Sequence, residues 1–514
     1  MSGGTALAWL RLDLRIEDNP VLSAASQGGR AVVPVFVWAP EEDGAWPPGQ
    51  ASRWWLARSL TSLDRDLRAR GSRLVVRRGP SAAGLIEIAR SVGADRVVWG
   101  ARPEPALAAR DRAVAAALRS NGLDPIVINS AFLAEPGTIV RGGGQPYRVF
   151  TPFWQACLAV SDEFGAAIAP PELRAPAIWP DRATVESLAI APAAAWTARL
   201  AQRWTPGETA ARKALGRFAD AGVSAYEARR DRVDLEGTSE LSAHLHHGEV
   251  GPHQVWRALR RRPGADAFLR QLGWREFGYH LLVHFPRTTD EPLRPEFARL
   301  PWREDEAEFD AWRRGRTGFA LVDAGMRQLW ETGWMHNRAR MVAASFLVKD
   351  LLVDWRRGAR WFWDTLVDGD LANNTLGWQW VAGCGSDAAP YFRVLNPDLQ
   401  AQRFDPDGVY RARWARAVPA APMLDHSEAR ARALAAFETV RAKVKPPPGS
   451  RGHRPTRSTA VARSTTAALT SAAGCPTRPA RPAATSPRGS SPCRSSRRRG
   501  SRASGRSSRT AGPW

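Results

Sequence analysis

Cysteine is scarce in this chain, which has four cysteines among 514 residues. Their spacing matches neither a disulfide framework nor a metal-binding motif, so both of these classes of protein are excluded. No apolar run reaches the roughly 18–20 residues that a membrane helix needs, and charged residues within the first fifteen argue against a signal peptide. We therefore expect a soluble, cytoplasmic protein with no metal centre and no association with a membrane.

Acidic residues are absent from residue 451 to the end, where 14 arginines lie among Ser, Thr, Pro and Ala. Such a segment has too little apolar surface to form a core, so we predict a disordered basic tail over residues 444–514. Removing these arginines reduces the net charge from +22 to +8 for residues 1–450. A charge of this size is compatible with nucleic-acid binding and equally with an ordinary basic surface.

Residues 1–135 alternate short β-branched runs with amphipathic stretches, which predicts a doubly wound α/β domain with a parallel sheet. The predicted strands are Ala6–Leu10, Ala31–Trp38, Arg73–Arg77, Arg96–Gly100 and Pro125–Asn129, and the predicted helices are Ser52–Arg70, Ala82–Val92 and Pro105–Ser120. No G-x-G-x-x-G motif follows the first strand. A dinucleotide site of the usual kind is therefore not expected in this domain.

The pattern changes twice further along the chain. Residues 136–205 are rich in Pro, Ala and Gly, which is typical of an interdomain linker. Residues 206–443 show long helical periodicities, such as Thr317–Trp330 and Arg340–Leu352, and no alternating strand runs. We predict an all-helical second domain here.

Tryptophan is in excess, with 23 in the chain and nine between Trp302 and Trp380. In the same region, Asp370, Asn374 and Trp378 are spaced to form one stripe of a helix, which suits a planar heterocycle. A helix start capped by Asp368 or Asp370 is the alternative interpretation of the carboxylates.

Two further clusters are candidate binding residues. Residues 334–341 place two guanidinium groups beside an amide, and Arg340 is available to pair with an acid such as Asp368. The segment Thr238–Ser242, after Tyr226 and Arg230, offers hydroxyls and backbone amides for a phosphate. A plain helix cap is the alternative for that segment.

Several long motifs occur in an order that resembles the photolyase and cryptochrome flavoproteins over roughly residues 5–415. They are Leu7-Ala-Trp9-Leu-Arg11-Leu-Asp13-Leu-Arg15-x-x-Asp18-Asn19-Pro20, Thr238-Ser-x-Leu-Ser242, Gln271-Leu-Gly-Trp274-Arg-Glu-Phe277, Thr317-Gly-x-x-x-Val-Asp-Ala-Gly-Met326, Thr332-Gly-Trp-Met-His-Asn-Arg338 and Asp368-Gly-Asp370 to Trp380. The resemblance implies an N-terminal antenna domain and a helical FAD-binding domain. It also implies light-driven repair of cyclobutane pyrimidine dimers in DNA, in which reduced FAD passes an electron to a dimer flipped out of the helix.

The resemblance assigns residues to three roles. Those implied to bind FAD are Tyr226, Arg230, Thr238, Ser239, Glu240, Leu241, Ser242, Arg275, Arg340, Asp368, Asp370 and Asn374, with Asn374 facing flavin N5. Those implied to contact the dimer are Gln271, Trp274, Asn337, Arg338, Met341 and Trp380. Trp302, Trp355 and Trp378 match a chain of indoles that carries electrons to the flavin, whereas residue type alone favours core packing for them.

Two features bear on lesion choice and function. Gln271 occupies a place where cyclobutane-dimer enzymes usually have Glu, and it cannot supply a proton or a negative charge. Together with the long extension, it motivates the alternative of a cryptochrome-like blue-light receptor. Asn374 favours repair, because an amide cannot protonate the flavin as an acid could. Members of the family often hold a second antenna chromophore, a folate or a deazaflavin, in the N-terminal domain. No acidic residue near Glu104–Ala109 clearly matches a folate site, and a protein without a second chromophore is the alternative. We expect a monomer that binds damaged DNA.

Overall fold

The structure is a computed structural model that describes residues 3–165, 167–168, 171–181, 183–388, 392–415 and 421–441. The predicted basic tail, residues 444–514, lies outside these residues. Within the described part, no helix combines the length and apolar character needed to cross a bilayer.

Five parallel strands form a sheet in the order β3-β2-β1-β4-β5. The strands are β1 (Thr5–Trp9), β2 (Ala31–Trp38), β3 (Val75–Arg78), β4 (Ala94–Gly100) and β5 (Asp124–Ile128). The helices that connect and flank these strands are α1 (Pro20–Ser26), α2 (Gln50–Arg68), α3 (Ser81–Val92) and α4 (Pro105–Ser120). Separate apolar clusters cover the two faces of the sheet. The predicted doubly wound α/β fold is confirmed, and each predicted strand lies within two residues of an observed one.

One helix of this part was not predicted. Helix α1 begins at Pro20, and the side chain of Asn19 accepts hydrogen bonds from the backbone of Val21 and Leu22. An Asn cap followed by Pro in the first turn is a recognised helix start. At seven residues, α1 is too short to show helical periodicity clearly.

The rest of the described chain consists of helices and the loops between them, with no further β-strand. The helices are α5 (Phe150–Ala159), α6 (Leu200–Arg203), α7 (Glu208–Arg217), α8 (Tyr226–Arg229), α9 (Ser242–His246), α10 (Pro252–Leu259), α11 (Asp266–His284), α12 (Glu306–Arg313), α13 (Ala320–Thr332), α14 (Asn337–Ser345), α15 (Trp355–Thr365), α16 (Leu371–Ala382), α17 (Pro397–Phe404), α18 (Val409–Trp414) and α19 (His426–Arg441). The predicted helices near Thr317–Trp330 and Arg340–Leu352 correspond to α13 and to α14, which continues as a π-helical turn over Phe346–Asp350.

The segment predicted as a linker, residues 136–205, contains helix α5. Phe150, Phe153 and Trp154 on this helix share a buried cluster with Trp274 and Phe277 of α11. The first part of the segment is therefore packed against the helical region.

A buried carboxylate ties the sheet half to the helical half. Glu249 is fully buried and accepts hydrogen bonds from Trp55 Nε1 of α2 at 3.0 Å and from the Gly207 amide at 2.7 Å. It also contacts His244 Nδ1 of α9. Trp54 and Trp55 pack nearby against apolar residues of both parts. One side chain thus connects α2, the segment before α7, and α9.

Candidate functional site

A cavity in the helical region collects fifteen of the twenty-one predicted site residues. Its walls come from the loop between α8 and α9, from α11, from the start of α14, and from residues 366–374. The predicted residues that line it are Tyr226, Arg230, Thr238, Ser239, Glu240, Leu241, Ser242, Gln271, Trp274, Arg275, Asn337, Arg340, Asp368, Asp370 and Asn374. The other six predicted residues, Trp302, Arg338, Met341, Trp355, Trp378 and Trp380, are not among its lining residues.

Hydroxyl groups line one side of this cavity. Helix α9 begins at Ser242 without a side-chain cap, so Thr238 and Ser239 do not serve as its N-cap. The guanidinium of Arg230 lies over the Tyr226 ring at 5.2 Å and 3.5 Å from an oxygen of Asp231. Several hydroxyls and a nearby cation form a donor set suited to phosphate groups.

The predicted ion pair between Arg340 and Asp368 is present and buried. Nη2 of Arg340 lies 3.0 and 2.8 Å from the two carboxylate oxygens, and its Nε donates to the Met335 carbonyl at 2.8 Å. The side chains are 10% and 3% exposed. Each charge is therefore compensated inside the cavity wall.

Asp370 both caps a helix and faces the cavity. Its side chain accepts from the Asn373 amide at the start of α16, so the cap interpretation is correct for this residue. The Tyr279 hydroxyl donates to its other oxygen, which also lies 3.5 Å from His246 Nδ1. Burial alone would raise the pKa of Asp370, but the neighbouring His246 ring and the charge of Arg275 hold it below its usual value. Asp370 is thus a carboxylate at neutral pH.

Asn374 lies in the cavity wall and has one buried acceptor without a partner. Its Nδ2 donates to the Ala359 carbonyl at 3.0 Å, while its Oδ1 is buried and has no hydrogen-bond partner among the described residues. A buried acceptor without a partner is costly unless a ligand satisfies it. The amide therefore fits a ligand that brings a hydrogen-bond donor to this part of the wall.

His336 caps α14 near the cavity. We predict that it makes the stability of the fold sensitive to acid. Its Nδ1 accepts from the Arg338 amide at 3.1 Å, and burial lowers its pKa from 6.5 to about 3. The unfolded chain therefore binds one more proton than the folded chain between these values, so stability falls as the pH decreases through this window. Between pH 7 and pH 5, we expect His336 to lower the free energy of unfolding by about 2 kcal/mol.

The variant His336→Asn tests this prediction, because Asn caps helices but does not titrate. Urea unfolding of the unmodified protein and of the variant is measured at pH 7 and at pH 5. The free energy of unfolding should fall less in the variant between these two pH values. Equal losses in the two proteins would contradict the assignment.

Of the residues predicted to contact a dimer, Gln271, Trp274 and Asn337 line the cavity, whereas Arg338, Met341 and Trp380 do not. The Trp274 ring stacks on Phe150, with centroids 3.9 Å apart. Arg338 is held by Asp231 at 2.8 Å, and its Nη1 lies 3.5 Å from the Met341 sulfur. Nε1 of Trp380 on α16 donates to the Asp387 carbonyl at 3.2 Å.

The three indoles predicted to carry electrons belong to one hydrophobic cluster. Trp355 and Trp378 are almost fully buried, and Trp302 is partly buried against the same cluster. The Trp378 ring lies 5.0 Å from Phe362. Core packing and electron transfer are both compatible with this placement.

A second cavity lies where the carboxyl ends of the strands meet the helical region. Its walls include Arg11 after β1, Trp38 at the end of β2, and Arg102 after β4. Trp46 and Trp363 also line it, with ring centroids 5.7 Å apart. The order of strands reverses between β1 and β4, and ligands of open α/β sheets bind at such a switch point.

Some lining residues of the first cavity were not predicted. They are Leu245, His246, Phe268, Leu272, Trp334, Met335, Leu366, Gly369 and Asn373. His246 lines both cavities and contacts Asp370. No spacing in the sequence links it to Asp370, because the two residues are 124 positions apart in the chain.

Comparisons with known proteins agree with this arrangement. Residues 6–176 match the family described as DNA photolyase, and residues 268–423 match the FAD binding domain of DNA photolyase. These two matches cover the sheet domain and most of the first cavity.

Individual relatives cover most of the chain. A deoxyribodipyrimidine photo-lyase of Agrobacterium fabrum is 42% identical over 85% of this chain and 98% of its own length. Cryptochrome-1 of Arabidopsis thaliana is 37% identical over 80% of this chain and 63% of its own length. The crystal structure of a bacterial class III photolyase from Agrobacterium tumefaciens superposes with a TM-score of 0.81 at 40% identity, covering 86% of this chain and 98% of that one.

Proposed function

Since the chain belongs to the photolyase and cryptochrome family and is an enzyme of the photolyase type, we propose that it repairs cyclobutane pyrimidine dimers in DNA, using light and bound FAD. The observation that carries the proposal is Asn374, a neutral amide in the cavity wall whose buried oxygen has no hydrogen-bond partner among the described residues. An amide accepts a hydrogen bond there but has no acidic proton to release, which favours repair over signalling.

The residues of the first cavity suit FAD. The hydroxyls of Thr238, Ser239 and Ser242, with Arg230, would hold its phosphates, and Asn374 and the buried pair of Arg340 with Asp368 would lie along its ring system. The chemistry that FAD supplies when bound is the light-driven transfer of one electron to the dimer, whose cyclobutane ring then opens before the electron returns. The protein excludes water and fixes the charges around this chemistry.

Aromatic side chains would hold the flipped dimer. Trp274 is held rigidly by Phe150, and Trp380 lies at the far end of α16 from Asp370. Stacking of a base on such a ring contributes about 1–3 kcal/mol, which offsets part of the cost of extruding the dimer. Gln271, Asn337, Arg338 and Met341 would supply the polar and sulfur contacts, and Trp302, Trp355 and Trp378 would deliver electrons for reduction of the cofactor.

We also propose that the second cavity holds an antenna chromophore, a folate or a deazaflavin. Its aromatic side chains suit a planar ring system. Its charged residues include Arg102, paired with Glu104 at 2.7 Å, and Asp43, whose pKa burial raises to about 6. We further propose that the protein acts on DNA as a monomer in the cytoplasm.

A repair assay tests the proposed function. The reduced protein is illuminated with an oligonucleotide that contains one cyclobutane dimer, and recovery of thymine absorbance is followed; a sample kept dark is the control. We expect recovery only under light. If the protein contains reduced flavin and no recovery occurs, the repair proposal is wrong, and the cryptochrome-like receptor suggested by Gln271 and the Arabidopsis relative is favoured.

A further inference from the structure

Glu240 has an unusual backbone conformation within the loop that lines the first cavity. Its φ is +55°, in the left-handed region that a side chain other than glycine rarely adopts. Such a conformation persists only where surrounding contacts hold it. One such contact is an ion pair between the Glu240 carboxylate and the guanidinium of Arg203.

Arg203 is itself anchored away from the loop. It ends α6, where Leu200 is fully buried, and its guanidinium lies 4.6 Å from the centroid of the Trp204 ring. Nε1 of Trp204 donates to the Thr332 carbonyl at 2.7 Å, at the end of α13. The partner of Glu240 is therefore held in place by contacts outside the loop.

The charge of Glu240 conflicts with the rest of the loop. Thr238, Ser239 and Ser242 offer hydroxyls to the cavity, whereas a carboxylate repels a phosphate. Glu240 also lines a separate groove, and Arg203 lines that groove but not the cavity. Arg203 therefore neutralises the acid from the groove and draws it away from the cavity.

We propose that the pair of Arg203 with Glu240 is a latch that both neutralises this carboxylate and positions the loop over residues 238–242, and so slows the release of a dinucleotide from the cavity. This inference rests on the proposed function, because it takes FAD as the ligand. Arg203 is a positioning residue, since it acts through Glu240. The side chains are 44% and 32% exposed, so the pair is partly screened by solvent.

The first test measures FAD release from the full chain by the gain in flavin fluorescence after dilution. Arg203→Ala should release FAD about two to five times faster, the range expected for a partly exposed ion pair. Adding Glu240→Gln should return the rate towards that of the unmodified protein, because no carboxylate remains to repel the phosphates. Arg212→Ala, at an exposed arginine of α7, is the matched control and should change nothing.

The second test uses the chain without FAD. Hydrogen exchange of the amides in residues 239–242 should be faster in Arg203→Ala than in Arg212→Ala. The latch is refuted if exchange is equal in the two variants, if both release FAD at the same rate, or if Glu240→Gln fails to slow release from Arg203→Ala. A chain that takes up no FAD would refute the proposed function, while the exchange measurement would still decide whether the latch exists.

Discussion

Replacing Arg340 by Met should lower the free energy of unfolding by about 3–5 kcal/mol, because Asp368 would remain buried without its partner. The uncompensated carboxylate would also face the cavity, so we expect the variant to lose its flavin during purification. Urea unfolding and the flavin absorption of the purified protein measure the two effects.

A second substitution separates charge from packing at this site. The double variant Arg340→Met with Asp368→Asn leaves no buried charge and should recover part of the lost stability. A single variant within about 1 kcal/mol of the unmodified protein, or a double variant no more stable than the single one, would contradict the role given to the pair.

Replacing Trp380 by Ala should weaken binding of dimer-containing DNA about 5- to 150-fold, which corresponds to the loss of one stacked base. Binding of undamaged DNA should stay the same, because no base is extruded from it. Trp380 is a better test than Trp274, whose indole packs face to face with Phe150 and whose removal would disturb the core. Titrations with matched oligonucleotides, with and without one dimer, measure the difference.

Trp330 provides the matched control for this prediction. It is an indole on another helix, α13, is 37% exposed, stacks with Trp196 and is not among the residues implied to contact a dimer. Trp330→Ala should bind both oligonucleotides normally. Equal weakening for both oligonucleotides in Trp380→Ala would show that the indole supports general DNA binding and not capture of the dimer.

The sheet was predictable mainly because its central strands, β1, β2 and β4, are buried on both faces. Runs such as Ala31–Trp38 are continuously apolar, and the strand found there has the same bounds. Helix α1 was missed because its start depends on the cap by Asn19 and not on periodicity.

The candidate cavity was predictable in much of its membership but not in its geometry. The family's motifs brought together the loop 238–242, α11 and residues 368–374, and charge together with the resemblance indicated the pair of Arg340 with Asp368. The orientation of the Asn374 amide depends on the Ala359 carbonyl, which no local pattern indicates. The left-handed backbone of Glu240 was likewise hidden, since a non-glycine residue gives no signal for it.

The carboxylate of Glu249 affects whether the sheet half of the chain can be produced without the helical half. Cutting the chain after the sheet would strip Trp55 Nε1 of its acceptor and expose Trp54 and Trp55, which are now covered by Leu200, Trp204 and Val367. A fragment of the N-terminal half would therefore expose a hydrophobic patch of indole side chains and should aggregate when expressed alone. Swapping such halves between relatives would succeed only if α2 and the segment around Gly207 were exchanged together.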